Sequence, residues 1–472
     1  MESLVSYSRK FYWRFYRLVA FAVIFMMAVL TGSLLLGDSV RGTLVQRVGE
    51  RLGRTETIIA SGTRFLSDSV ASHPLMTQAR GYLLMDGFVS VGDMLLPVYV
   101  WGTDADSLQS GEALVNEPLN AKLSTLNSSP STLNSLILHL PAHNMVPSGS
   151  LFVTQRYATQ MRLSVKGVKS IDDGGNLLLK NEQTLPLNIF VNRQYLAEAM
   201  ELEGKINIIL ASDIISESQL AEAWQPEWSG IHLTDTSLTY DGIFIPHEIV
   251  DKFSTQTSNP YSLIPSPNPS IRYFSYLVND IVAGNDSLAY PFVTAVEEWQ
   301  GEPLRGRDII LSDYAARRLR VSEGDSVNMS YFVARDLKNL ETQGQSLRVK
   351  RIVPLSDFIG DSLLTAEFPG LSHVEKCTDW DSDLPIKMER VTKADEDFWY
   401  TYRQTPKAIV SFEAVSHDWA NAFGSATALR FASRPAVSLS PSDAGLLVYH
   451  PRAEGLRAAS DGVDFASLFL AL

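Results

Sequence analysis

The sequence is poor in cysteine: Cys377 is the only one in 472 residues. A single cysteine cannot form an intrachain disulfide, and it cannot build a cysteine-rich metal site. We expect it to be a packed thiol rather than a nucleophile.

Basic residues are also few, 40 against 53 acidic ones, and the net charge of -13 argues against nucleic acid as the main partner. The sequence has no glycine-rich loop that ends in Gly-Lys-Ser or Gly-Lys-Thr, so any ATP would have to bind to another chain.

Two pairs of residues resemble zinc ligands but lack an essential part of the motif. His247 and Glu248 begin like a zinc-protease helix, but Asp251 stands where the second histidine is required. We therefore expect a surface strand or loop there. His139 and His143 are four residues apart, but a proline lies between them and prevents a shared helix face.

An acidic loop resembles a calcium-binding loop only at its start. Asp379, Asp381 and Asp383 have the spacing of calcium ligands, but Leu384 and Arg390 occupy the positions that need glycine and glutamate. A solvated loop explains these residues better. The sequence therefore predicts no enzyme activity, no cofactor and no metal.

The chain has one long hydrophobic run, with no charged residue from Leu18 to Leu36. A helix of this length covers about 28 Å, close to the hydrocarbon thickness of a bilayer. The core of a secretion signal is shorter and is followed by a cleavage site with small residues. We therefore predict a retained membrane helix over residues 18–37, with Leu18 and Leu36 near its limits.

Positive charge is concentrated on one side of this run. Arg9, Lys10, Arg14 and Arg17 precede it, whereas Arg41 is the only basic residue in the ten positions after it. Basic residues favour the cytoplasmic side. Residues 1–17 are therefore predicted to be cytoplasmic, with the helix in a bacterial inner membrane and the main domain outside.

An amphipathic stretch follows the membrane helix without a turn. Val40, Leu44, Val48 and Leu52 recur every four residues, and charged residues lie between them. This spacing predicts a stalk helix over residues 38–53. Its apolar stripe needs a partner outside the bilayer.

The outer region contains two pairs of similar segments. Residues 111–123 and 307–319 each read as a strand, a polar cap and a helix, with Asn116 and Ser312 at the cap position. Residues 188–212 and 407–433 each read as strand, helix and strand. We predict an α+β fold with small β-rich subdomains and two related halves, in which half A spans 54–253 and half B spans 271–460. The proline-rich stretch 254–270 would be a linker.

Several segments resemble FtsX-like/MacB-like ABC transporter permeases with a large ectodomain. They are LGDSVRGTLVQRVGERLGRTETIIAS (36–61), IILSDYAARRLRVSEGDSVNMSYF (309–332), LTAEFPGLSHVEKCTDWDSDLPI (364–386) and TPKAIVSF (405–412). The resemblance implies one N-terminal membrane helix, an outer domain with a MacB-like periplasmic core and three further membrane helices. It also implies an ABC-type ATPase partner and a second permease copy. Residues 461–472 would begin the second membrane helix, which is also where the partner of the stalk stripe is expected.

The sequence leaves two functions open. One is a permease portion that couples ATP hydrolysis by a partner to conformational change outside the membrane. The other is an anchored sensor or adhesion ectodomain without transport activity. The sequence does not identify a transported molecule.

The predicted topology can be tested with reporter fusions at residue 10 and residue 300. A reporter that works only outside the cytoplasm should be active at residue 300 and inactive at residue 10, because the positive flank holds the N-terminus inside. Activity at residue 10 would contradict the predicted orientation.

Overall fold

The computed structural model describes most of the chain. The described residues are 7–9, 11–62, 64–76, 78–91, 94–104, 108–126, 135–141, 159–179, 184–254, 270–334, 340–368, 371–372, 374–380, 385–421 and 423–461. The predicted linker 254–270 and the predicted start of a second membrane helix, 461–472, fall almost wholly outside them.

Helix α1, Trp13–Leu52, is one uninterrupted helix of 40 residues. At 1.5 Å per residue it is about 60 Å long, roughly twice the hydrocarbon thickness of a bilayer. It contains no proline, and hydroxyl groups in its apolar part are satisfied within the helix: Thr31 donates to the carbonyl of Met27 at 2.7 Å and Ser33 to that of Leu30 at 2.9 Å. α1 is the only helix among the described residues that is long and apolar enough to cross a membrane.

The other helices are shorter and lie in the outer region. They are α2 Glu117–Leu126, α3 Arg193–Met200, α4 Glu217–Ala223, α5 His247–Ser254, α6 Asp313–Leu319, α7 Leu355–Ile359, α8 Lys393–Tyr402, α9 Phe412–Trp419 and α10 Pro451–Asp461. Six 3-10 turns accompany them among the described residues, at Asp68–Ser72, Pro74–Met76, Pro226–Ser229, Ser362–Leu364, Cys377–Asp379 and Met388–Arg390.

Strands are distributed over the whole outer region. Those up to residue 240 are β1 Thr57–Ala60, β2 Leu66–Ser67, β3 Ala79–Val91, β4 Met94–Thr103, β5 Glu112–Asn116, β6 Ser135–Leu140, β7 Thr159–Lys169, β8 Asn188–Asn192, β9 Lys205–Ile206, β10 Ile208–Ala211, β11 Ile231–Leu233 and β12 Ser237–Tyr240. Those after it are β13 Ile271–Leu277, β14 Asp280–Ala283, β15 Asp286–Ala289, β16 Phe292–Val296, β17 Glu298–Trp299, β18 Glu302–Pro303, β19 Asp308–Ser312, β20 Ser326–Ala334, β21 Leu340–Val353, β22 Ala408–Ser411, β23 Ala428–Arg430 and β24 Leu447–Tyr449. The predicted α+β class with an N-terminal apolar helix is confirmed.

Most strands up to β10 form a first sheet. Its order is β24-β1-β10-β3-β4-β8-β5-β7-β6, and β6 also pairs with β3. This last pairing closes six strands into a ring, so no hydrogen-bonding edge remains between β6 and β3.

The strands of the second sheet are arranged in the same way as those of the first. Its order is β11-β12-β23-β13-β16-β22-β19-β21-β20-β14-β15, so that β12 takes the place of β1, β23 that of β10 and β13 that of β3. β14 follows directly after β13 in the chain and pairs with β20, as β3 pairs with β6. The parallel pairs are also equivalent, β4–β8 and β5–β7 in the first sheet and β16–β22 and β19–β21 in the second. A register shift falls after the second residue of both β5 and β19, between Ala113 and Leu114 and between Ile309 and Ile310. This shared topology is what an internal repeat would produce.

Sheet membership does not follow the predicted boundary between the halves. β11, β12 and α5 fall in the range of half A, but β11 and β12 belong to the second sheet. β24 falls in the range of half B and pairs with β1 of the first sheet. The strands equivalent to those of the first sheet therefore begin before residue 254, because β12 occupies in the second sheet the position that β1 has in the first.

The two sheets share part of their hydrophobic core. Each sheet has its own core, and a further cluster contains Ile59 of β1, Ile209 of β10, Leu238 of β12 and Leu429 of β23. β1 is equivalent to β12 and β10 to β23, so equivalent strands of the repeats meet in one apolar layer. Burial of this layer holds the two sheets together.

Asn116 occupies the predicted cap position before α2 and is fully buried. Its side-chain oxygen accepts from the backbone N–H groups of Leu119 and Asn188, both at 3.1 Å. Its amide nitrogen donates to the carbonyl of Pro186 at 2.8 Å and to the side chain of Asn176 at 3.2 Å. One residue thus caps a helix and joins three segments of the first sheet.

Replacing Asn116 with alanine should destabilise the outer domain, because two buried N–H donors and one carbonyl lose their partner. We expect a cost of about 3 kcal/mol, which would lower the thermal midpoint of the full chain in detergent by roughly 3–4 °C for an outer domain of about 400 residues. Ser124→Ala on the exposed side of α2 is the matched control and should leave the midpoint nearly unchanged. Equal midpoints for the two variants would contradict the role of Asn116.

Candidate functional site

The candidate site is the place where α1 meets the outer domain. α1 ends at Leu52, which is 1% exposed, and Gly53 follows with a positive φ of 55°. This conformation suits glycine, because a side chain would be strained there. The N–H of Gly53 still donates to the carbonyl of Gly49 at 2.9 Å, so the last turn is closed.

The last carbonyl groups of α1 are hydrogen-bonded by the outer domain. The N–H of Leu178 donates to the carbonyl of Arg51 at 3.1 Å, and the N–H of Thr55 donates to that of Leu52 at 2.9 Å. The guanidinium of Arg452 donates to the carbonyl of Gly53. Helix ends leave such carbonyls without intrahelical partners, so these bonds fix the orientation of α1 against the domain.

Helix α10 returns beside the stalk part of α1. It begins directly after β24, which pairs antiparallel with β1, so α10 runs back toward the membrane end of α1. A Cβ atom on Gly455 of α10 would lie 3.0 and 3.1 Å from the methyl carbons of Val48 and 3.7 Å from its Cβ atom. The absence of a side chain at Gly455 therefore allows the two helices to approach closely.

Polar contacts surround the place where α1 ends and α10 begins. Arg452 forms an ion pair with Glu56 at 2.7 Å. Thr57, fully buried, donates to the carbonyl of Asp213 at 2.7 Å and accepts from the N–H of Ile215 at 2.9 Å. The stalk joint, as we name residues 48–57 together with 450–455 and Leu178, thus links α1, β1 and α10.

The predicted stripe residues have different environments. Leu52 is buried in the joint, Val40 and Val48 are half-buried, and Leu44 is 38% exposed. Ser33 and Gly37 are the other buried residues of α1, and their spacing of three to four residues continues the same face. The predicted limits of the membrane span, Leu18 and Leu36, both lie within α1 and are exposed.

The contribution of α10 was missed from sequence. We expected the stripe to pack on the second membrane segment, from residue 461 onward, whereas Val48 packs on Gly455 before that point. A signal was present, because Pro451 suits the first turn of a helix and Gly455 lies four residues later. Nothing local indicated that this helix would lie against α1.

The incomplete zinc motifs have structural roles. His247 and Glu248 lie in α5, so the expected strand or loop there is wrong. Ile249, Val250 and Phe253 of α5 are buried, and this helical apolar face outweighed the local cues. His247 Nε2 donates to the carbonyl of Asn421 at 2.7 Å.

The remaining motif residues do not come together as a candidate metal site in the described part of the chain. His139 Nε2 lies 2.7 Å from the hydroxyl of Ser90, and His143, Asp381 and Asp383 fall outside the described residues. The described residues contain no group of three or more potential metal ligands. Burial, together with the carboxylate of Glu396, raises the pKa of Cys377 to about 12, so the thiol stays protonated at neutral pH.

Comparisons with known proteins show a similarity to solved structures. No family model matches the chain, and no curated protein matches it. Among solved structures, the chain is similar to the crystal structure of the periplasmic region of MacB from Actinobacillus actinomycetemcomitans. The identity is 10%, the TM-score is 0.24, and the match covers 48% of this chain and 92% of the other. The permease resemblance therefore continues to rest on the sequence segments quoted above.

The packing of α10 on α1 predicts a specific cross-link. A Val48→Cys and Gly455→Cys pair should form a disulfide in the membrane-embedded full chain under mild oxidation. The reason is that the Cβ separation of 3.7 Å lies within the range of about 3.5–4.5 Å that disulfides require. Altered mobility on a non-reducing gel, reversed by reductant, would report it.

The matched control is an Arg47→Cys and Gly455→Cys pair. Arg47 is exposed and one residue away, so its side chain points about 100° from that of Val48 around the helix. Cys377 is buried and should not compete. Equal cross-linking of both pairs, or none in either, would contradict the helix pairing.

Proposed function

We propose that this chain is the N-terminal, outer-domain portion of an FtsX-like/MacB-like ABC transporter permease. The observation that carries the proposal is the uninterrupted course of α1 from its apolar part into a hydrogen-bonded joint with the outer domain. The quoted sequence segments supply the family.

The joint suits the transmission of movement. A plain membrane anchor would tolerate a flexible linker, because it only has to retain the domain near the membrane. In this chain a rigid helix enters the domain, and its end is fixed by Leu178, Thr55 and Arg452. A tilt or shift of α1 would therefore displace the domain as well.

In this proposal the chemistry takes place on another chain. An ABC-type ATPase binds ATP on the cytoplasmic side and draws two permease copies together. The membrane helices move, and the stalk carries that movement to the outer domain in the periplasm. This chain provides the mechanical link.

The experiment uses the full-length permease purified with its partners from native membranes. An ABC-type ATPase should co-purify with it, and its recovery would separate the permease from an anchored sensor or adhesion protein. Absence of any ATPase under conditions that preserve the membrane complex would contradict the proposal.

Val48→Asp should uncouple ATP hydrolysis from the outer movement in this assembly. A carboxylate opposite Gly455 would have to be desolvated, which costs the helix pairing on the order of 2 kcal/mol. ATP hydrolysis should continue, since the nucleotide site lies on the other side of the membrane, while the outer domain should no longer respond. Fluorescent labels on the two outer domains would measure that response.

Arg47→Asp, on the exposed side of the stalk, is the matched control and should preserve the response. Loss of the response in both variants to the same extent would show that charge at the stalk matters, not packing against α10.

A further inference from the structure

Large apolar side chains are exposed on the outer face of the first ring. Phe88 of β3, Leu95 of β4 and Ile137 of β6 are 45%, 60% and 38% exposed. Ser90 of β3 pairs with Leu95 on one side and with Ile137 on the other, and Phe88 lies two residues away on the same face. We call this face the outer patch. Neighbouring exposed apolar side chains are typical of a surface that binds a partner.

The outer patch lies at the end of β3 that is remote from the stalk joint. β1 pairs antiparallel with β10 and β10 with β3, so β3 runs in the same direction as β1, away from the joint. Ala79 is level with Thr57 of the joint, and Ser90 is eleven residues further on, which is about 36 Å along the strand. The bilayer is therefore out of reach, and a protein surface is the partner that suits these side chains.

The second sheet has polar residues at the equivalent positions. The matching strand pairs relate Phe88, Leu95 and Ile137 to Asp280, Ser287 and Asn328, respectively. In the second sheet Asp280 is bonded to the guanidinium of Arg390 at 2.6 Å. The ring can therefore form without apolar residues on this face, so their presence in the first sheet needs a reason other than folding.

The strand register places opposite charges on opposite sides of the outer patch. A line drawn from Leu95 to His139 crosses the patch, and we call it the patch axis. With strands about 4.8 Å apart and alternate residues about 6.8 Å apart, Asp86 of β3 lies about 8 Å to one side of this axis and Arg162 of β7 about 8 Å to the other. Both residues are exposed, and they are level with each other along the axis.

We propose that the outer patch binds the outer patch of a second copy of this chain, related by a two-fold rotation about the patch axis. Such a contact is self-complementary. Leu95, on the axis, meets Leu95 of the second copy. Phe88 and Ile137 lie on opposite sides of the axis, so each packs against the other residue type of the second copy. Asp86 likewise faces Arg162 of the second copy.

Charge and anchoring both favour this contact. Each chain carries a net charge of -13, so two copies repel each other over most of their surface, whereas the corners of the patch attract. A few apolar side chains bury less area than stable complexes in solution require. Two copies held in one membrane have a high effective concentration, which allows such a small contact to form. The contact needs no ATPase and is independent of the proposed transport function.

Leu95→Cys should cross-link two copies of the full chain in native membranes under mild oxidation, because the patch axis brings the two positions together. A band of twice the mass on a non-reducing gel, lost on reduction, would report it. Met94→Cys is the matched control, since Met94 is 48% exposed but points to the other face of β4. We expect roughly tenfold less cross-linked product from the control.

A charge exchange in the Leu95→Cys background tests the two-fold arrangement. Arg162→Asp and Asp86→Arg should each slow cross-linking roughly fivefold, because each places like charges opposite each other, and the double variant should restore the rate. Both positions are exposed, so the thermal midpoints should not change. Equal cross-linking of Leu95→Cys and Met94→Cys would overturn the proposal, and so would a folded double variant that is no faster than the single ones.

Discussion

The carbonyl groups at the end of α1 set the main constraint on this molecule. A helix that leaves a membrane ends in carbonyls with no intrahelical partner, which must be satisfied by water, by a cap or by the folded domain. In this chain the outer domain bonds the carbonyls of Arg51, Leu52 and Gly53. The last turn of the stalk is therefore part of the folded domain.

From this joint, packed side chains reach both sheets. β1 begins five residues after the end of α1, and its neighbouring residues Ile58 and Ile59 point to opposite faces, as the pleat of a strand requires. Ile58 packs with Trp101 on one face of the first sheet. Ile59 packs in the layer shared with Leu238 of the second sheet. Displacing β1 would therefore disturb both repeats.

The local features of this architecture could be predicted from sequence, whereas the long-range ones could not. The apolar run from Leu18 to Leu36 indicated the helix, and Asn116 and Ser312 were identified as caps because they precede similar apolar patterns. The boundary between the predicted halves was placed at the proline-rich stretch 254–270 because proline marks a loop, whereas β12, which lies before it, pairs in the second sheet. The pairing of β24 with β1 joins the two ends of the outer region, and its residues carry no local signal of their partner.

The central claim is that α1 stays helical from the membrane into the joint. Amide hydrogen exchange of the full chain in nanodiscs tests this most directly at residues 37–43, which lie beyond the apolar run and before the joint. The account predicts slow exchange through this segment, continuous with the protection of residues 44–52, because each N–H is bonded within the helix. Exchange at residues 37–43 as fast as in an unstructured peptide would reveal a hinge and contradict the account.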